Sequence, residues 1–237
     1  MRRDLRPAEC ATALGEIHMM IELTAADGHR LECWMVDAKS ARKGGIVILQ
    51  EIFGVTDQLK DVADRYAALG YDVAIPALFD RHQKGAVIPF DEAPRGRNLM
   101  LSSSLDQTMI DVDAAVKALK SRGGRVAIVG YCWGGGLAIR AAQVLDIACA
   151  VSFYGTRLDA YQIAPLKAPV QGHWGSEDAH VPPEMLNAAR TFFPDMEVHT
   201  YAGADHAFAN EHRPAAYLEE AAKLAHARAA AFIAAHV

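Results

Sequence analysis

Short apolar runs alternate along this chain with longer stretches in which apolar residues recur every three or four positions. Two extended runs, 17–23 and 31–36, flank an Asp27-Gly28 pair. That arrangement predicts an opening β-hairpin. The segment 44–50, "GGIVILQ", is apolar almost throughout, as a strand buried on both faces requires. The segment 57–69, "DQLKDVADRYAAL", has helical spacing and stops at Gly70. The same reading gives strands over 71–76, 125–130, 147–155, 168–175 and 196–201. It gives helices over 104–122, 135–145 and 182–193. The alanine-rich tail, 221–237, reads as a terminal helix, with Leu218, Ala222, Ala225 and Phe232 near helical spacing. Residues 77–104 carry Gly85, Pro89, Pro94 and Gly96 and read as a long loop.

Strand and helix in alternation predict an α/β fold, a mostly parallel sheet of about eight strands with helices on both faces. Ligands of such sheets sit beyond the carboxyl ends of the strands. Functional residues are therefore expected just after 46–49, 125–130, 170–175 and 196–201.

The chain has 237 residues, 51% of them hydrophobic, enough for one domain over 1–237 with a sizeable core. Residues 1–16 read as a peripheral N-terminal segment. Lys plus Arg is 24 against 29 for Asp plus Glu, and no dense basic run occurs. A net charge of −5 points away from nucleic acid. Arg2 and Arg3 have no apolar run behind them, so no export signal is read and a cytoplasmic location is expected. The strongly apolar run Ile46 to Leu49 is too short to span a membrane. Cys10, Cys33, Cys132 and Cys149 form no C-x-x-C pair and are expected as free thiols. The ten histidines include no H-x-H or H-x-x-x-H pair, so no metal site is expected. No cofactor is expected either.

Gly130-Tyr131-Cys132-Trp133-Gly134 follows a strand and opens a helix. This is the G-x-nucleophile-x-G form of a nucleophile elbow, with cysteine as the nucleophile. Glycines let strand and helix approach, and the helix N-terminus favours a thiolate and a developing oxyanion. Taken alone, Cys132 also fits a small buried residue beside a glycine turn. Asp178, in "SEDAHVP", and His206, in "AGADHAF", each follow a later strand at the same edge. The order nucleophile, acid, histidine is that of the α/β-hydrolase arrangement. Cys132 would then attack an acyl carbonyl, His206 would move the proton, and Asp178 would hold the imidazole. The backbone amides of Trp133 and Ile52 are the expected oxyanion donors. Glu51 ends an apolar strand between Leu49 and Phe53, a poor setting for a solvated side chain.

The segments "LQEIFGV", "VGYCWGG", "GSEDAHVP" and "GADHAF" together resemble the signature segments of the dienelactone hydrolase family, over essentially residues 17–232. The resemblance implies a hydrolase of esters or lactones with a Cys132, Asp178 and His206 triad and an acyl-cysteine intermediate. It implies that Glu51 accepts the thiol's hydrogen bond at rest and gives way when substrate binds. The expected partner is a small ester or lactone, and the expected state a monomer or weak homodimer. The family's dienelactone enzymes carry an arginine four residues after the histidine, and here that position is Asn210. Arg95 is the first candidate for a second substrate arginine, with Arg97 and Arg81 nearby. Phe53, Trp133 and Tyr154 are the aromatic candidates for the pocket. The alternative activity is that of a carboxylesterase or thioesterase without dienelactone preference. A non-enzymatic reading makes Cys132 an oxidisable thiol in a binding module.

Overall fold

The computed structural model describes residues 18–237, so the N-terminal segment 1–16 and Cys10 lie outside the described residues. Strands β1 (His18–Thr24) and β2 (Arg30–Val36) pair antiparallel, Thr24 opposite Arg30. The turn between them is the one the Asp27-Gly28 pair predicts. Gly28 donates its N–H to the Ala25 carbonyl at 2.9 Å and has φ +85°, where a side chain would be strained.

Strand β2 lies antiparallel against β4 (Tyr71–Pro76). From there all pairings are parallel. β3 (Gly44–Leu49) sits between β4 and β5 (Val126–Tyr131), followed by β6 (Ala150–Phe153), β7 (Val170–Gly175) and β8 (Glu197–Tyr201). The spatial order is β1-β2-β4-β3-β5-β6-β7-β8.

The continuous apolar runs have a simple cause. Ile46 and Ile48 face one core, with α1 (Asp57–Ala68) and α6 (Glu219–His236), while Val47 and Leu49 face the other. That second core holds α3 (Leu105–Ser121), α4 (Trp133–Val144) and α5 (Pro183–Phe192). A buried Val, Leu or Ile contributes about 1.5–3 kcal/mol, so both faces of β3 to β7 favour apolar residues.

Two expectations change. The irregular stretch 77–104 is not all loop, because α2 (Ala93–Ser102) lies within it. Pro94 sits in the first helical turn, where its missing N–H leaves no bond unmade. Gly96 is there for contact: a Cβ at this position would lie 2.0 Å from the Ile52 carbonyl oxygen. In the terminal helix the buried stripe is Ala222, Ala225, Ala229 and Ile233. Leu218, the residue before the helix, is exposed and Phe232 is only partly buried.

Candidate active site

Strands β3, β5, β7 and β8 end at one edge of the sheet, and the loops after them carry Glu51, Cys132, Asp178 and His206. Cys132 is the residue between β5 and α4, with φ 53° and ψ −115°. A non-glycine residue there is held against its own preference by its surroundings. Its N–H donates to Phe153 O at 3.0 Å, and its carbonyl accepts from Gly135 and Thr156 at 3.0 and 3.1 Å. The neighbouring glycines leave no room for side chains. A Cβ on Gly130 would stand 1.9 Å from Gly134 O, and one on Gly134 would stand 2.3 Å from Leu49 O. The turn therefore depends on both glycines, as the G-x-C-x-G spacing implies.

Asp178 and His206 are brought together from loops 28 residues apart. His206 Nδ1 lies 2.8 Å from Asp178 Oδ2, and the His180 backbone N–H donates to Asp178 Oδ1 at 2.8 Å. Burial alone would lower the His206 pKa. The neighbouring Cys132 and the Asp178 carboxylate outweigh burial and raise it to about 10. Burial works against the Asp178 carboxylate too, but His206 and the His180 N–H hold its pKa below the usual value. The arrangement favours a protonated imidazole beside Cys132.

Glu51 is buried, and burial raises its pKa against the pull of His206, Arg213, Tyr154 and Asn210. Its hydrogen bond comes from Asn210 Nδ2 at 3.1 Å rather than from Cys132. Asn210 has no freedom to turn over, since its Oδ1 accepts the His212 N–H at 3.0 Å. Tyr154 is fully buried with φ 38° and stands edge-on to the His206 ring at 5.2 Å. Its hydroxyl is near enough to Glu51 to influence it, yet neither that hydroxyl nor Glu51 Oε1 makes a hydrogen bond of ordinary geometry. Tyr154 thus backs the site rather than facing the cavity.

Above Cys132 opens a cavity of about 630 Å³. Ile52, Phe53, Met100 and Met185 make its apolar wall, and Glu51, His180 and His206 its polar floor. Trp133 is not in this wall. Its ring stacks on Phe79 at 5.3 Å in the core. The backbone N–H groups of Ile52 and Trp133 make no backbone hydrogen bond among the described residues.

Arg95 lies outside the cavity, bound to Glu92 at 2.9 Å and Gln83 at 3.0 Å. Arg81 is held by Asp111 and Asp27. The arginines that line the cavity are Arg97, Arg157 and Arg213. None of the three has a carboxylate partner among the described residues, whereas Arg42, Arg65, Arg81, Arg95 and Arg122 all do. Arg213 lies over Phe53 and Phe90, 5.9 and 5.7 Å from their ring centres. Sequence reasoning missed Arg213 because the fold, not the spacing from His206, carries it in. The Asp178-x-His180 spacing was the available signal for His180.

The model of the dienelactone hydrolase family matches residues 31–237. A carboxymethylenebutenolidase of Pseudomonas putida is 31% identical over 225 residues, covering 90% of this chain and 95% of its own. A Klebsiella pneumoniae structure solved as a candidate dienelactone hydrolase superposes with a TM-score of 0.79 at 26% identity, over 92% of this chain and 98% of its own. A dienelactone hydrolase-like promiscuous phosphotriesterase from metagenomic libraries shares the fold, with a TM-score of 0.74 at 20% identity, covering 92% and 98% of the two chains. The eight-stranded sheet with its helices is the α/β-hydrolase fold.

Proposed function

We propose that this chain, which belongs to the dienelactone hydrolase family and is a hydrolase of ester or lactone bonds, acts through an acyl-cysteine on Cys132. The observation that carries this reading is the Asp178–His206 pair, whose imidazole lines the same cavity as a strained Cys132. The thiolate attacks the acyl carbonyl and forms a C–S bond. The amides of Trp133 and Ile52, which make no backbone hydrogen bond among the described residues, would receive the oxyanion. His206 then gives its Nε2 proton to the leaving oxygen as the C–O bond breaks. In the second half, His206 takes a proton from water, which attacks the thioester and frees the thiol. Asp178 keeps Nδ1 protonated throughout.

Mixing the reduced protein with a slowly turned-over activated ester should add one acyl mass to the peptide containing Cys132. Turnover with no adduct, or with an adduct elsewhere, would remove the acyl-cysteine.

The unpaired cavity arginines favour an anionic substrate and answer the substitution at Asn210. Asn210 is spent on Glu51, and we assign the carboxylate to Arg213, which the two phenyl rings hold in place. A charge-assisted hydrogen bond contributes about 1.5–3 kcal/mol. Arg213→Ala should therefore lower kcat/KM for a carboxylate-bearing ester by about 10- to 100-fold. A neutral ester with the same leaving group should change less than about threefold. Equal losses on both would take Arg213 out of substrate recognition. The chosen location is the cytoplasm, where a thiol nucleophile stays reduced, and the chosen state a monomer or weak homodimer. Among the described residues no helix is long and apolar enough to cross a membrane.

A further inference from the structure

His180 has no part in the hydrolytic scheme, yet it is built into the site. Its Nδ1 is 3.5 Å from Asp178 Oδ1, and its ring centre is 4.3 Å from that of His206. Asp178, His180 and His206 each offer one ligand atom, and all three atoms lie within 4.8 Å of one another. The Asp178 side chain is fully buried and that of His206 is 10% exposed, but the His180 side chain is 54% exposed and opens on the cavity. A small ion entering the cavity therefore reaches the trio past His180.

We propose that Asp178, His180 and His206 form a binding site for a divalent transition metal of the zinc type, whose occupation stops turnover. Two imidazole nitrogens and a carboxylate oxygen are the donor set that suits Zn2+, with a fourth, water-filled position facing the cavity. Asp178 supplies the negative charge, and Asp205 lines the same wall. Arg97, which lines the same cavity, acts electrostatically on His180 and opposes the ion. No histidine-pair spacing in the sequence announces this site, because its two imidazoles come from separate loops.

The chemistry of inhibition balances simply. The metal forms bonds to His206 Nδ1, His180 Nδ1 and one Asp178 oxygen. The Nδ1 proton of His206 leaves to solvent, and its hydrogen bond to Asp178 is replaced by the metal. In the acyl-enzyme, whose neutral imidazole carried only the Nδ1 proton, a proton from solvent takes Nε2 as the metal takes Nδ1. In that form the ring has no lone pair for a proton from water, so the acyl-enzyme is not hydrolysed. This inhibitory half rests on the acyl-cysteine reading, whereas the binding half does not.

The test is equilibrium dialysis against zinc chloride, all variants carrying His212→Ala to remove the exposed trio of Asp61, Glu211 and His212. The His212→Ala protein and its Cys132→Ser derivative should each bind one zinc ion, the serine protein at least as tightly, because Cys132 favours a protonated His206 that zinc must displace. Adding His180→Ala should weaken zinc about 10- to 100-fold or more, with His180→Gln in its place if the alanine protein does not fold. Ester hydrolysis by the His212→Ala protein should fall as zinc fills the site, and the His180 variant should need at least about tenfold more zinc. Unchanged zinc affinity without His180, or loss of zinc with Cys132→Ser, would overturn the site. Zinc bound with turnover intact would overturn the inhibition. If the protein hydrolyses no ester at all, the dialysis result still stands on its own.

Discussion

Cys132→Ala should lower kcat/KM for an activated ester by about 10^4- to 10^6-fold, equal to about 5.5–8 kcal/mol of transition-state stabilisation. The fold should survive, because the two methods of holding position 132 in place do not involve sulfur. Its backbone is fixed by hydrogen bonds to Phe153, Gly135 and Thr156, and by glycines that admit no side chain. Cys132→Ser should fall between alanine and the natural protein. In the proposed scheme the attacking group is a thiolate beside a protonated His206. A serine hydroxyl stays protonated, so the imidazole would have to remove its proton within the step. Steady-state rates on one ester, with thermal melts of the three proteins, make the comparison. Alanine activity within about tenfold of the natural protein would mean that hydrolysis does not pass through Cys132.

Much of this site was legible because the chemistry is carried by strand ends. A continuous apolar run forces a strand to be buried on both faces, and parallel strands place their carboxyl ends at one edge. Glu51 and Cys132 follow such runs, and Asp178 and His206 follow the parallel strands β7 and β8, so their convergence is implied by chain order. What was not legible depends on packing between segments. Helix α2 was hidden by Pro94 and Gly96, whose places in the first turn and against the Ile52 carbonyl are tertiary facts. Arg95 and Arg97 are two residues apart on α2, so they point to different sides of it. One pairs with Glu92 on the surface and the other lines the cavity. Arg213 enters because the loop after His206 folds back over Phe53 and Phe90. Tyr154 has the right chain position for a substrate contact but is turned into the core, behind His206.

Asp178→Asn should cost about 10^4-fold in kcat while leaving the fold and substrate affinity nearly unchanged. The reason lies in the two oxygens of this buried carboxylate. Oδ1 accepts the His180 backbone N–H, and Oδ2 faces His206 Nδ1. An asparagine has one acceptor and one donor end. The His180 N–H is fixed in the backbone, so the amide oxygen must meet it. The NH2 group is then left facing His206, where it can only donate. Nδ1 must become the acceptor, and the ring proton moves to Nε2, which faces Cys132. In that tautomer His206 cannot take a proton from the thiol or from water. The buried negative charge that helps hold the imidazolium is lost as well. A purely structural role for Asp178 would lower stability and leave the residual activity of the folded fraction normal. The tautomer argument predicts the reverse: a melting temperature within a few degrees and a large loss of kcat per folded molecule. A proton NMR signal for Nδ1–H, present in the natural protein and absent in Asp178→Asn, reports the tautomer directly. Its persistence in the variant, with activity within about tenfold of normal, would refute the assigned role.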